Sequence, residues 1–160
     1  MPIDQGLAIW PAMTLYFEDM TPGRVFELGT VTVDEEEVIA FATRYDPQPF
    51  HVDPDAARET HFGGLVASGW HTCAMYMRLF VDEVASRSAS LGSPGMDEIR
   101  WPAPVRPGDV LTATFVIDEA RPSASKPDRG IVRSLCEMRN QDDVVVMTMR
   151  GTGMYYRRPD

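Results

Sequence analysis

From Val25 to Val33 the run V-F-E-L-G-T-V-T-V alternates apolar with other residues, a period of two that predicts a strand. At Asp34 the period changes. Asp34-Glu35-Glu36-Glu37 opens a helix, with Asp34 as cap candidate and the acids facing the positive end of the macrodipole. Val38, Phe41, Ala42 and Tyr45 make one apolar face of that helix, which must stop near Tyr45 because Asp46 precedes a proline and is driven out of the α region. Asp53-Pro54 reads as a second helix start, aspartate as cap and proline at the first helical position. A third helix is predicted from about Ser68 to about Ser88. Trp70, Cys73, Ala74, Met77, Phe80, Val81 and Val84 follow its spacing, and Met75, Tyr76 and Leu79 between them are apolar too. A helix apolar on nearly every side for three turns is expected to lie buried inside the fold.

Beyond it the pattern returns to strands: Glu98–Val105, Val110–Ala120, Ile131–Asn140 and Val144–Tyr156. Breaks fall at Arg106-Pro107-Gly108-Asp109, Arg121–Arg129 and Gln141-Asp142-Asp143. The order is strand, two short helices, one long helix, four strands. An antiparallel sheet wrapped around a long central helix, an α+β class, satisfies it with short connections. One side of the helix would still need covering, which points to a homodimer or a higher homo-oligomer of dimers. Residues 1–22 read as an irregular leader with apolar anchors at Ile9, Trp10, Leu15, Tyr16 and Phe17, and the chain as one domain, 1–160.

Composition narrows the partners. A chain of 160 residues is long enough for one domain with a real core and short for two. A net charge of −9 with no basic patch argues against nucleic acid, whose binding rests on displacing counterions from phosphates. Cys73 and Cys136 are isolated and form neither a zinc nor a redox motif. No apolar stretch approaches the roughly 20 residues that span a bilayer, and the N-terminus lacks the pattern of a signal peptide. These features lead to the expectation of a cytoplasmic protein with no membrane partner.

The candidate chemistry lies in Asp46-Pro47-Gln48-Pro49-Phe50-His51 and the glycine-rich run Gly63 to Gly69. An imidazole with an ordinary pKa of about 6.5 suits proton transfer near neutrality. An aspartate at a helix C-terminus opposes the macrodipole, which weakens a purely structural role for Asp46. If residues 46–51 ran as straight polyproline, at about 3.1 Å per residue, the two side chains would stand about 15 Å apart. Joint action therefore requires the segment to bend. Gly69 sits in the first helical turn, where an amide has no intrahelical partner and no side chain of its own blocks a ligand. Ser68 is expected to cap that helix. It is not expected to be a nucleophile, since G-x-S-x-G is absent. His61 reads as loop and His71 as the solvated or inter-subunit edge of the helix, with no metal-ligand spacing. Arg58, Arg78, Arg100 and Arg106 are candidates for a nucleotide phosphate, and the methionines read mostly as core filler.

The chain resembles the MaoC-like, (R)-specific enoyl-CoA hydratases of the hot-dog fold. Their signature is an aspartate, any residue, Asn-Pro, an aliphatic residue and histidine, then five residues and a small one. Here it reads Asp46, Pro47, Gln48, Pro49, Phe50, His51, then Val52 to Ala56, then Ala57. Three positions depart from the family: Gln48 replaces the asparagine, Phe50 the aliphatic residue, and Ser68 stands where histidine is common. The likeness covers roughly residues 15–157. It implies a hot-dog fold, with Asp46 and His51 as the catalytic pair and the Gly69 backbone as oxyanion donor. Gly64 is a second candidate donor, and Ser68 lies beside the substrate. It also implies reversible hydration of trans-2-enoyl thioesters of coenzyme A or acyl-carrier protein to (R)-3-hydroxyacyl thioesters, with no metal and no separate cofactor. Two alternatives share the fold: an acyl-CoA thioesterase, and a non-catalytic acyl-thioester-binding subunit. Thioesterases of this fold commonly place an acid early on the central helix, and Gly69 to Val81 contains none.

Overall fold

In a computed structural model, residues 13–160 are described; the anchors Ile9 and Trp10 lie outside them. Strand β1 (Val25–Thr32) is followed by helix α1 (Glu35–Tyr45), two short helices α2 (Pro49–Val52) and α3 (Pro54–Arg58), and the long helix α4 (Gly69–Glu83). Strands β2 (Gly95–Arg100), β3 (Val110–Pro122), β4 (Arg129–Arg139) and β5 (Val145–Tyr156) complete the chain. The strands form one antiparallel sheet in the order β1-β3-β4-β5-β2, with β1 and β2 at its edges.

The caps are those the sequence predicts. Asp34 accepts from the Glu37 amide at 2.9 Å, and Asp53 accepts from Asp55 and Ala56 with Pro54 at the first helical position. Ser68 accepts from the Trp70 amide at 3.3 Å at the head of α4. Of the leader anchors, Leu15 is buried beside Ser88, and the Phe17 ring covers Gly130 of β4.

Two element boundaries differ from the periodicity. Helix α4 stops at Glu83, and a 3-10 turn (Ala85–Arg87) follows. The serines there bond backward to the backbone, Ser86 to Asp82 and Ser88 to Ala85, offering the chain an alternative to helix. Strand β2 spans Gly95–Arg100 rather than reaching Val105, because Pro102 and Pro104 have no N–H for a ladder.

The orientation of α4 is the larger correction. The buried face of α4 carries His71, Thr72, Met75 and Tyr76, whereas Trp70 (58% exposed) and Met77 (44%) look outward. Both sides of the helix are apolar, so spacing alone does not distinguish the side that meets the sheet. Tyr76 reaches across to bond the Thr114 carbonyl at 3.1 Å, and Phe80 packs edge-on against Phe115. His71 is not on a solvated edge. It is buried and stacks on Phe41 of α1 with ring centres 4.8 Å apart.

Candidate active site

The segment after α1 bends as joint action of its two groups requires. The Gln48 amide bonds back to the Asp46 carbonyl at 2.8 Å, a tight turn around Pro47, and the His51 amide bonds to the Gln48 carbonyl at 2.9 Å. Pro49 then starts the single turn of α2, which returns His51 toward the end of α1. Asp46 Oδ2 and His51 Nε2 come to lie 3.4 Å apart.

Each of the pair is held by neighbours that define its chemistry. His51 is buried, and its Nδ1 lies 2.7 Å from the Val66 carbonyl oxygen. A carbonyl only accepts, so Nδ1 carries the hydrogen and Nε2 faces the carboxylate. The same residue holds the backbone: the Val66 amide donates to the Phe50 carbonyl at 3.0 Å. Asp46 accepts from Gln48 Nε2 at 2.7 Å and from Ser68 Oγ at 2.8 Å. Burial acts to raise the Asp46 pKa, but these two hydrogen bonds and the adjacent imidazole outweigh it and hold the carboxyl below its ordinary range. Asp46 is therefore an anion at neutral pH. At 3.4 Å the pair is longer than a direct N–H···O bond. One water lying off the line between them would touch both.

Ser68 joins this pair to α4. Its hydroxyl oxygen receives the Trp70 amide while its hydrogen goes to Asp46. Gly69, the first residue of the helix, lines the same cavity as Asp46 and His51, a space of about 450 Å³ walled by Phe50, Phe62, Trp70 and Trp101. Gly64 is not part of that wall. It faces the Arg106 guanidinium, which bonds the Phe62 carbonyl. The structure thus brings together Asp46, His51, Ser68 and Gly69 and leaves Gly64 outside.

Trp101 and the Val66 carbonyl are the features that the sequence reading passed over. An alanine Cβ at position 69 would fall 2.4–2.8 Å from three atoms of the Trp101 indole. The tryptophan ring therefore rests directly on the backbone of the first helical turn. Its signal in the sequence is a bulky aromatic beside Pro102-Ala103-Pro104, a run whose two prolines have no N–H to extend a ladder. The candidate arginines are already engaged: Arg58 with Asp55, Arg78 with Asp82 at 2.9 Å, Arg100 with Glu98 at 2.7 Å.

A second cavity, of about 240 Å³, lies under the far half of α4 between Tyr76, Phe80, Phe115 and Met149. It is mostly apolar, and the pKa of its thiol, Cys136, is pushed up to about 11 by burial, which keeps that sulfur a neutral thiol at neutral pH. Among the described residues no three His, Cys, Asp or Glu side chains are grouped so as to hold a metal.

Residues 18–135 match the family described as MaoC like domain. The chain belongs to the MaoC-like dehydratase family. The crystal structure of the MaoC-like dehydratase from Rhodospirillum rubrum is 40% identical to it, with a TM-score of 0.82 over 92% of this chain and 100% of that one. The five-stranded sheet around α4 is thus the hot-dog fold of this family. Among curated relatives, the uncharacterized protein YdeM of Bacillus subtilis is 29% identical over 129 residues, 81% of this chain and 90% of that protein. The (R)-specific enoyl-CoA hydratase of Rhodospirillum rubrum is 33% identical over 107 residues, 64% of this chain and 69% of that protein. Other curated relatives match over less than two thirds of their own length. No helix of this MaoC-like domain is long and apolar enough to cross a membrane among the described residues.

Proposed function

We propose that this protein catalyses the reversible hydration of trans-2-enoyl thioesters, of coenzyme A or acyl-carrier protein, to (R)-3-hydroxyacyl thioesters. One observation carries the reading: an anionic carboxylate and an imidazole whose Nε2 faces it meet at the N-terminus of a long helix, in one cavity. Asp46 holds a water, and His51 Nε2 takes a proton from it as the water oxygen bonds to the β-carbon. The low pKa of Asp46 makes it a poor acid, so the imidazolium is the group that gives a proton to the α-carbon. Water is added across the double bond and both residues return to their starting forms. Negative charge building on the thioester oxygen is met by the Gly69 amide and the positive end of α4. No metal or redox group enters these steps.

The reading treats the chain as one domain acting as a homodimer. The outward apolar stripe of α4 (Trp70, Ala74, Met77) supports a second copy as its cover. A thioesterase is less well supported. The first acid on α4 is Asp82, exposed and paired with Arg78, so no helix carboxylate faces the cavity.

The test is loss of the conjugated double bond of crotonyl-CoA, followed by absorbance, with free thiol monitored in parallel. Hydration without thiol release is expected. Asp46→Asn and His51→Ala should each lower turnover by about 10²–10⁴, the usual worth of a positioned acid–base group, with unchanged circular dichroism. Full turnover in either variant would remove the assignment, and thiol release would favour the thioesterase.

A further inference from the structure

Trp101 is fixed from three sides. Its ring lies on the Gly69 backbone and meets Trp70 edge-on with centres 5.4 Å apart, and the Cys73 thiol one turn along α4 lies beside its indole nitrogen. The segment it begins is anchored at both ends. Arg100 is paired with Thr148 in the sheet, and the Val105 carbonyl accepts the Ala67 amide at 2.8 Å. The residue nevertheless remains 41% exposed, and it shares the cavity with Asp46 and His51.

We propose that Trp101 is a specificity-determining residue that limits the site to short acyl groups; this rests on the catalytic reading above. If the Gly69 amide holds the thioester oxygen, the carbonyl carbon and the atoms bonded to it lie within van der Waals reach of a ring seated on that same glycine. Two chains leave that carbon, the acyl group and the thiol arm. The thiol arm of coenzyme A or of a carrier protein carries amides that need hydrogen-bond partners. The wall Trp101-Pro102-Ala103-Pro104 is poor in donors, because its two prolines have no N–H. It suits a hydrocarbon. The acyl group therefore runs against the indole, and a rigid indole gives way less readily than a methionine or leucine in the same place. Gly69 and Trp101 act as a pair: the missing side chain at one position makes room for the ring at the other.

The test compares kcat/KM for trans-2-octenoyl-CoA with that for crotonyl-CoA in the wild type and in Trp101→Ala, Trp101→Leu and Trp101→Phe. This ratio does not depend on the fraction of folded enzyme, so a partly unstable variant still reports. One methylene in an apolar pocket is worth about tenfold or more in discrimination. The octenoyl to crotonyl ratio should therefore rise at least about tenfold in the alanine variant, less in leucine, and stay near wild type in phenylalanine. A ratio unchanged in both the alanine and leucine variants, with crotonyl-CoA still hydrated, overturns the inference and leaves the catalytic reading standing. A shift in preference between crotonyl-CoA and crotonyl-N-acetylcysteamine, without a chain-length effect, also overturns it, by assigning the ring to the thiol arm. A wild type that hydrates neither substrate removes the catalytic reading and this inference together.

Discussion

Ser68 Oγ donates to Asp46 Oδ2 at 2.8 Å while accepting the Trp70 amide at 3.3 Å. One hydroxyl thus caps the central helix and orients the carboxylate that ends α1, so the two halves of the site share a single fixed point. Ser68→Ala removes both bonds. Loss of the cap should cost about 0.5–2 kcal/mol of stability, read by thermal unfolding. A hydrogen bond to a charged group is worth about 1.5–3 kcal/mol, so hydration should fall by about one to two orders of magnitude. Ser68→Thr, which keeps the hydroxyl, should recover most of both. Wild-type turnover in the alanine variant would show that the serine serves only the helix.

Gly69→Ala tests the contact with Trp101. The new Cβ would stand 2.4–2.8 Å from the indole, far inside any allowed approach, so the ring must shift. Overpacking of this kind costs about 1–3 kcal/mol. If the indole is the obstacle, Trp101→Ala should return most of that loss in the double variant, measured as a coupling energy by denaturant unfolding. Additive losses would mean that the glycine answers to some other constraint.

Much of this arrangement was legible in the residues because it is local. Aspartate at 34 and 53 and proline at 54 act within four residues of themselves, so those helix starts follow from nearest-neighbour physics, whereas the bend between Asp46 and His51 does not: two prolines alone suit an extended segment, and only joint action of the pair requires it to turn. What escaped depends on distant neighbours. The inward side of α4 is chosen by Phe115 and the Thr114 carbonyl, contacts from β3 that no spacing within 69–83 encodes. The Val66 carbonyl that sets the tautomer of His51 is a backbone atom, and backbone atoms leave no trace in side-chain pattern. Trp101 falls inside the expected strand Glu98–Val105, and the two prolines after it are the sequence evidence against that extent.

The outward stripe of α4 makes the oligomeric state testable. Met77 is 44% exposed at the middle of the helix and lies outside the wall of the Asp46–His51 cavity. If a second copy covers it, the wild type should sediment at twice the mass of the chain. Met77→Glu should then shift the population toward monomer, since a buried unpaired carboxylate is costly. Should the wild type sediment as a monomer at micromolar concentration, the homodimer would be excluded.

His71 supplies a pH dependence with a definite sign. It is buried against Phe41, and its Nδ1 has no hydrogen-bond partner among the described residues. Burial lowers its pKa below the ordinary 6.5, and Glu37 on α1 opposes this only in part. The unfolded chain therefore binds a proton at this position at a higher pH than the folded chain does. Between the two pKa values the unfolded state holds more protons, so stability increases with pH through that window. The contribution is complete above about 6.5 and is lost progressively as the pH falls toward the lowered folded value, at no more than about 1.4 kcal/mol per pH unit. His71→Phe keeps an aromatic ring against Phe41 and removes the titration. Urea unfolding of the wild type at pH 7.5 and 5.5 should show a loss at the lower pH that is smaller in the variant. Equal pH dependence in the two proteins would mean that His71 titrates alike folded and unfolded, contrary to its burial between α1 and α4.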